Sequence, residues 1–538
     1  MKAFRSAILA FAVIVLTLTT SAQVSVTTQH NDNSRTGQDT NEITLTPANV
    51  NVNSFGKLFS QAVDGYIYAQ PLYVPNVNIP SLGTHNVLYV ATEHDSVYAF
   101  DADNSTGSNA SPLWHTSFIN PSKGITTVSS GDVGCGDLVP EIGVTGTPVI
   151  DTAGGTLYVV AKTKENGKYF QRLHALDITT GAEKFGGPVT IQARIKGTGD
   201  GSRNGFISFY AFREGQRPGL LLQNGSVLIS WASHCDIGPY HGWVISYDAT
   251  TLKQNGVWNS TPNGGLGGFW ASGAGIAGDT SFNVYVATGN GTFDLDIGGR
   301  DYGDSIIKLS PPVNTRFKAS DFFTPYDQAS LNQADLDLGS GGVLLLPDQS
   351  GPHAHLLIQA GKEGTIYLID RDNMGHYNPN NNNQIVQSLD QAVGGLWSMP
   401  GWWNNNVYFG GSFDYLKMYT FNPVTGLLST SSVSQSGTFF GFPGPTPSIS
   451  ANGTSNAIVW ALQTDDYGNG SATLHSYDAT NLGVELYNSM QNASRDDPGG
   501  AVKFTVPTIA NGKVYVPATQ QVSVFGLLAG RGSQKIAK

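Results

Sequence analysis

The sequence predicts an all-β protein, an eight-bladed β-propeller closed by an N-terminal strand, and three observations carry that prediction. First, a short apolar strand is followed eight times by a polar or glycine-bearing turn and a second strand that usually ends in Asp. The copies begin at Leu88, Leu157, Val227, Val284, Leu356, Val407, Ile458 and Val514, between 51 and 72 residues apart. This period exceeds the roughly 40 to 50 residues of common propeller repeats, but it still means one unit repeated about an axis. Second, Gly is 65 of 538 residues and charged residues are 13%, about half the usual share of roughly 25%, as in a loop-rich exported β protein. Third, the last copy ends near Phe525 with too short a tail for an outer strand, whereas residues 24–28 and 57–63 have strand-like composition. An open ring would leave an unpaired edge, so N-terminal residues are expected to complete the last blade. The copies follow one another without a linker, which predicts a single propeller over residues 23–530.

At the N-terminus, Lys2 and Arg5 precede an apolar run over residues 7–18, and Thr20-Ser21-Ala22 forms a small-residue cleavage site. A spanning helix needs about 20 apolar residues, so this is read as a signal peptide cut near Ala22. The mature chain is expected to be secreted or periplasmic, with no membrane span. Loss of Lys2 and Arg5 takes the formal net charge from −11 to about −13, which disfavours nucleic acid or anionic membrane as a partner. Residues 531–538, with Arg531, Lys535 and Lys538, read as a solvated basic tail.

Asp101, Asp177 and Asp248 each end a second strand and open a polar turn, followed by Trp114, Phe185 and Trp258. An Asp side chain accepts hydrogen bonds from amides two residues on, so these acids are expected to form turns rather than act as catalysts, and the aromatics to pack on a neighbouring blade. Two cysteines, Cys135 and Cys235, fit one disulfide in an exported chain or two separate buried thiols.

Five loops carry more specific patterns: Gly134-Cys135-Gly136-Asp137; Ser233-His234-Cys235-Asp236 with His241-Gly242; Gly267-Gly268-Phe269-Trp270 with Gly289-Asn290 and Gly303-Asp304-Ser305; Thr324-Pro325-Tyr326-Asp327 with Asp335-Leu336-Asp337; and Gly361-Lys362-Glu363-Gly364. In these loops the chain resembles the pyrroloquinoline-quinone-dependent dehydrogenases and related quinoprotein-like propellers. The resemblance implies metal ligands at Asp236, Asn290 and Asp335, the metal being Ca²⁺ or, with the added carboxylate of Asp337, a lanthanide. It implies a catalytic base at Asp335 or Asp337, two acids expected on one face of a strand. It also implies quinone contacts from Cys135, from His241 where the family has Arg, from Trp270 beneath the ring, from Lys362 at the quinone oxygens and from Trp397. The family pairs adjacent cysteines; with Gly136 in place of the second, the two matches at the pocket mouth imply a bond between Cys135 and Cys235.

No Cys-x-x-Cys-His is present, so an electron acceptor would be a separate molecule. The absence of Gly-x-Gly-x-x-Gly opening a helix, of Gly-x-Ser-x-Gly and of His-Glu-x-x-His turns the reading away from nicotinamide enzymes, serine hydrolases and zincins. The leading expectation is an exported quinoprotein dehydrogenase oxidising an alcohol or sugar hydroxyl. Two alternatives stand beside it: a non-catalytic propeller that holds a protein partner, and a polysaccharide-binding propeller using Trp402 and Trp403 as exposed aromatics.

Overall fold

The computed structural model describes residues 23–529, and each of the eight repeats forms the middle of one antiparallel blade. In the first blade Leu72–Ile79, Gly83–Thr92, Ser96–Asp101 and Trp114–Ser117 pair in chain order. The same order recurs in blades whose inner strands are Val149–Asp151, Leu221–Gln223, Ala277–Gly278, Leu344–Leu345, Gly401–Trp403 and Ser448–Asn452. In the eighth, Thr508–Ala510 pairs with the first half of Lys513–Leu527. The second half, beyond Gln520 at φ 55°, pairs with Phe55–Tyr66. The fold is an all-β propeller, and its helices are one- or two-turn pieces such as Gln328–Gln333. Among the described residues no helix is long and apolar enough to cross a membrane. The signal segment and the basic tail lie outside the described residues.

The repeated Tyr and Asp of the motif explain how one blade locks to the next. Tyr89 donates its hydroxyl to the carbonyl of Ile178, Tyr158 to Ala249, Tyr408 to Ala479 and Tyr515 to Ala102. In every case the acceptor directly follows the Asp that ends the third strand of the following blade. That Asp folds its carboxylate onto the turn: Asp177 accepts from the amide of Thr179, and Asp248 from those of Thr250 and Thr251. The turn therefore presents its carbonyl in a fixed place, and each Tyr bond contributes about 1 kcal/mol net. The bond from Tyr515 runs from the eighth blade to the first.

Trp114 also donates to the Ile178 carbonyl and lies over Gly181. A Cβ on Gly181 would sit 2.5 Å from the indole ring, so only glycine fits there. Trp258 meets Tyr302 of the next blade edge-on. Phe185 packs more loosely than expected: it is 40% exposed and lines an open groove with Tyr247 and Leu252 of the third blade. Trp402 and Trp403 are likewise not exposed but 4% and 2% accessible. They lie on the inner strand of the sixth blade, where packing between blades buries both, and this removes the aromatic platform for a polysaccharide.

Residues 24–28 do not join the eighth blade; Val26 bridges Tyr73 of the first. From there residues 26–42 thread the channel, touching the blades in turn. Thr27 accepts from Ile150, Ser34 from Leu345, Thr36 from Trp402 and Gly37 from Ile449. Fully buried Arg35 donates to the carbonyls of Leu220 and Ile276, which spans the third and fourth blades, and to Thr28 and Gln29 beside it. Glu42 accepts from Gly512 in the eighth.

Candidate functional site

The loops that lead into the inner strands, with those joining second to third strands, meet on the axis around a cavity of about 190 Å³. Cys235, Asp236, Trp270, Asp337, Lys362 and Trp397 line it. Five of the nine residues implied by the resemblance thus face one space. Two more, Asn290 and Asp335, bond to Asp337 and Lys362 at its edge. Cys135 stands one residue back, bonded to Cys235 across 5.7 Å between Cα atoms. His241 is the exception. Its ring bonds Thr261 and the Asp200 carbonyl, and these two bonds hold it away from the cavity lining.

At the cationic centre of the cluster, the Lys362 ammonium lies 2.9 Å from Asp335 and 2.7 Å from Asp337. Asn290 donates its backbone amide to Asp337 and its side-chain amide to Asp335. The carboxylates do not lie on a strand. Asp335 takes φ 56° and Asp337 precedes a short 3-10 turn, yet both still face Lys362. Their exposure separates them: the Asp335 side chain is 69% accessible and that of Asp337 only 4%. Burial raises the Asp337 carboxyl above its ordinary range, although Lys362 opposes this. For Lys362, burial acts downward, but Asp337 and Asp335 outweigh it and leave the ammonium raised. Gly289 permits this closeness, since a Cβ there would stand 2.1 Å from Asp337 and 2.8 Å from Trp270.

Asp236 accepts from the Tyr240 hydroxyl. Its carboxyl is raised by burial and by the charges of Asp337 and Asp335, so the three acids share one field. Cys235 and Asp236 sit at φ 49° and 52°, a strained pair for residues with side chains, held by the disulfide. Asp304 is buried behind them and accepts from the Leu338 amide, which fixes the turn that carries Asp337. Tyr326 and Asp327 lie outside the cavity lining.

Sequence reasoning missed the opposite wall. Arg217 lies with its guanidinium 5.5 Å from the Trp270 ring and 4.8 Å from Phe504. Asp137 bridges Arg217 and Lys503. Burial works to raise that carboxyl, but the two cations outweigh it and hold it at about 2. Arg217 stands in a Gln-Arg-Pro-Gly turn with no pattern to mark it. Asp137, in contrast, was present in the Cys-Gly-Asp segment.

The residues fit a hard cation by their chemistry. All donors are oxygens, and the buried Asn290 Oδ1 has no hydrogen-bond partner, the condition of a carbonyl that faces a cation. Among the described residues no three Asp, Glu, His or Cys close on one point, so the remaining oxygens would come from a bound ligand. The Trp270 floor with Arg217 and Ser272 fits a planar anion. Ligand pockets usually measure about 300 to 1,000 Å³, so a multi-ring ligand requires Arg217 to swing off the indole.

No family model and no curated protein matches the sequence. Solved structures do. A quinohemoprotein alcohol dehydrogenase of Comamonas testosteroni is 15% identical with a TM-score of 0.60, covering 96% of this chain and 82% of its own. One from Pseudomonas putida HK5 is 14% identical with a TM-score of 0.59 and the same coverage. A europium-containing methanol dehydrogenase is 12% identical with a TM-score of 0.59, covering 94% of this chain and 98% of its own. The chain therefore has the quinoprotein propeller fold.

Proposed function

We propose that this chain, on a quinoprotein propeller scaffold, is an exported dehydrogenase that oxidises an alcohol or sugar hydroxyl at the axial cavity. One observation carries the reading: Asp236, Trp270, Asn290, Asp337 and Lys362 come from separate loops and gather about one space. When bound, a pyrroloquinoline quinone beside Ca²⁺ or a lanthanide would supply the two-electron acceptor. Asn290, Asp236 and Asp335 would hold the metal, and Arg217 and Ser272 the quinone carboxylates. Asp337 is the residue placed to take the hydroxyl proton, because it lines the cavity and is shielded from water, whereas Asp335 faces solvent. Lys362 opposes the rise that burial gives the Asp337 carboxyl and offers a donor to a developing oxyanion. The disulfide fits the exported setting that the signal segment implies.

A second reading, a propeller that binds a protein partner without catalysis, is favoured by one feature. Lys362 already pairs with both Asp335, which would hold the metal, and Asp337, which would take the proton. The two readings part in one assay. Purified protein given quinone and Ca²⁺ or La³⁺ is expected to reduce an artificial dye with an alcohol or sugar, and Asp337→Asn to lower kcat by about 10² or more. No dye reduction with any alcohol or sugar under either metal would leave the partner-binding reading.

A further inference from the structure

Away from the axis, the rims of the third and fourth blades meet at a groove of about 690 Å³. One wall is the outer strand of the fourth blade, Arg316–Thr324, which pairs through Arg316 with Val257 of the third. The other is a two-stranded arm, Arg194–Lys196 paired with Phe206–Ser208. Its Ile195 and Ile207 are buried against Val257. Strand period 2 therefore turns Arg194 and Lys196 outward, and the same alternation turns Arg316 and Lys318 outward about buried Phe317. Arg300 adds a cation from the loop between them.

Lys196, Arg300, Arg316 and Lys318 all line the groove, and no carboxylate does. None of the four has an ion pair among the described residues, although the whole chain carries a net charge of −11. Two acids of the Arg300 loop, half-buried Asp294 and buried Asp301, are engaged with backbone amides, while Asp296 is exposed and does not line the groove. Asp294 accepts from the amide of Asp301, and Asp301 from that of Asn263. Trp258, Tyr302 and Phe206 supply half-buried aromatic surface between the cations.

We infer that this groove binds an acidic carbohydrate, a sugar chain bearing carboxylate or sulfate groups. Guanidinium forks match such anions bidentately, and aromatic faces take the apolar side of a sugar ring. A single-stranded nucleic acid fits less well. It needs a series of open aromatic faces for successive bases, whereas Trp258 and Tyr302 pack edge-on at 5.4 Å and give one aromatic patch rather than a series. The site shares no residue with the axial cavity and stands whether or not that cavity is catalytic.

The test titrates the purified protein by calorimetry with oligogalacturonate, chondroitin sulfate oligosaccharide, neutral dextran and a thymidine oligonucleotide. Binding of oligogalacturonate identifies a carboxylate ligand and binding of the chondroitin oligosaccharide a sulfate one. Either is expected to weaken with added salt and by at least about tenfold in the Arg316→Ala/Lys318→Ala variant. Lys196→Ala, on the opposite wall, is expected to weaken it as well, with both variants melting like the parent. Equal binding of dextran, unchanged affinity in both variants, tighter binding of the oligonucleotide, or no binding of either acidic glycan overturns the inference.

Discussion

Two parts of the same axis differ in where their buried polar groups find partners. Along the inner strands, every nitrogen of the Arg35 guanidinium donates to a carbonyl or hydroxyl, and the buried His30 ring lies between the Arg35 and Pro447 carbonyls, to one of which its neutral form donates. In the loops leading into those strands, Asn290 Oδ1 and Trp270 Nε1 are buried without partners, and Asp236, Asp335 and Asp337 repel one another. A buried unpaired group costs roughly 1 to 3 kcal/mol. Arg35 thus ties the blades together, although Gln29 Oε1 and Asp39 Oδ2 of the same segment are also buried without partners. What sets the loops apart is that their unpaired groups stand at the cavity, where a ligand would relieve them.

The largest effect should come from the stable part. Arg35→Ala leaves the Ile276 carbonyl without its donor and the Leu220 carbonyl with only a long bond from Thr28, and opens a cavity between the third and fourth blades. Removing one side of a buried charged network costs about 3 to 5 kcal/mol, read as a fall in the denaturation midpoint. A loss below about 1 kcal/mol would mean that the channel segment is a passive filler, and the contrast between the two parts would break.

The bridge at Asp137 tests whether any of the pocket is structural. Its carboxyl lies at about 2 in the folded protein against an ordinary 3.8, held down by Arg217 and Lys503. A depressed carboxyl contributes stability that is present above the ordinary value and lost as pH falls through the folded one. Asp137→Asn should therefore cost about 2 kcal/mol at pH 7, with the difference from the parent closing between about pH 4 and 2. A gap that stays constant down to pH 2 would show that the cations do not act through this charge.

What the sequence made legible divides along the same line. The repeated apolar second strands, five of them with Tyr, and the Asp that closes five of the third strands are local patterns, and they encode contacts between blades, so the number and order of blades could be read. Trp270, Asn290, Asp337 and Lys362 stand in short glycine-rich loops whose spacing survives, so they could be placed at the axis. Arg217, Phe442 and Phe504 reach the cavity from turns before three other blades, where only the closed ring brings them together. His241 was misplaced for a related reason: the partners that hold its ring, Thr261 and the Asp200 carbonyl, are 20 and 41 residues away and only the folded loops bring them to it. The sequence likewise ranked Asp335 and Asp337 as equals, and only burial separates them.

The smallest effect is the most informative. Asn290→Ala removes a carbonyl that bonds nothing and an amide whose acceptor, Asp335, is exposed to water. In metal-free protein the change should lie within about 0.5 kcal/mol of neutral, or stabilise, since it deletes an unpaired buried acceptor. Added La³⁺ should raise the parent's stability by about 2.7 kcal/mol at a concentration 100 times Kd, and the variant's by much less. The pair of melts separates two causes for the orphaned carbonyl. If the variant loses as much as Arg35→Ala, the carbonyl has a structural role and the loops are no different from the channel. If it loses nothing and La³⁺ shifts parent and variant alike, the ion binds elsewhere and Asn290 is no ligand. Only a silent substitution that abolishes the metal response keeps the distinction between the two ends of the axis.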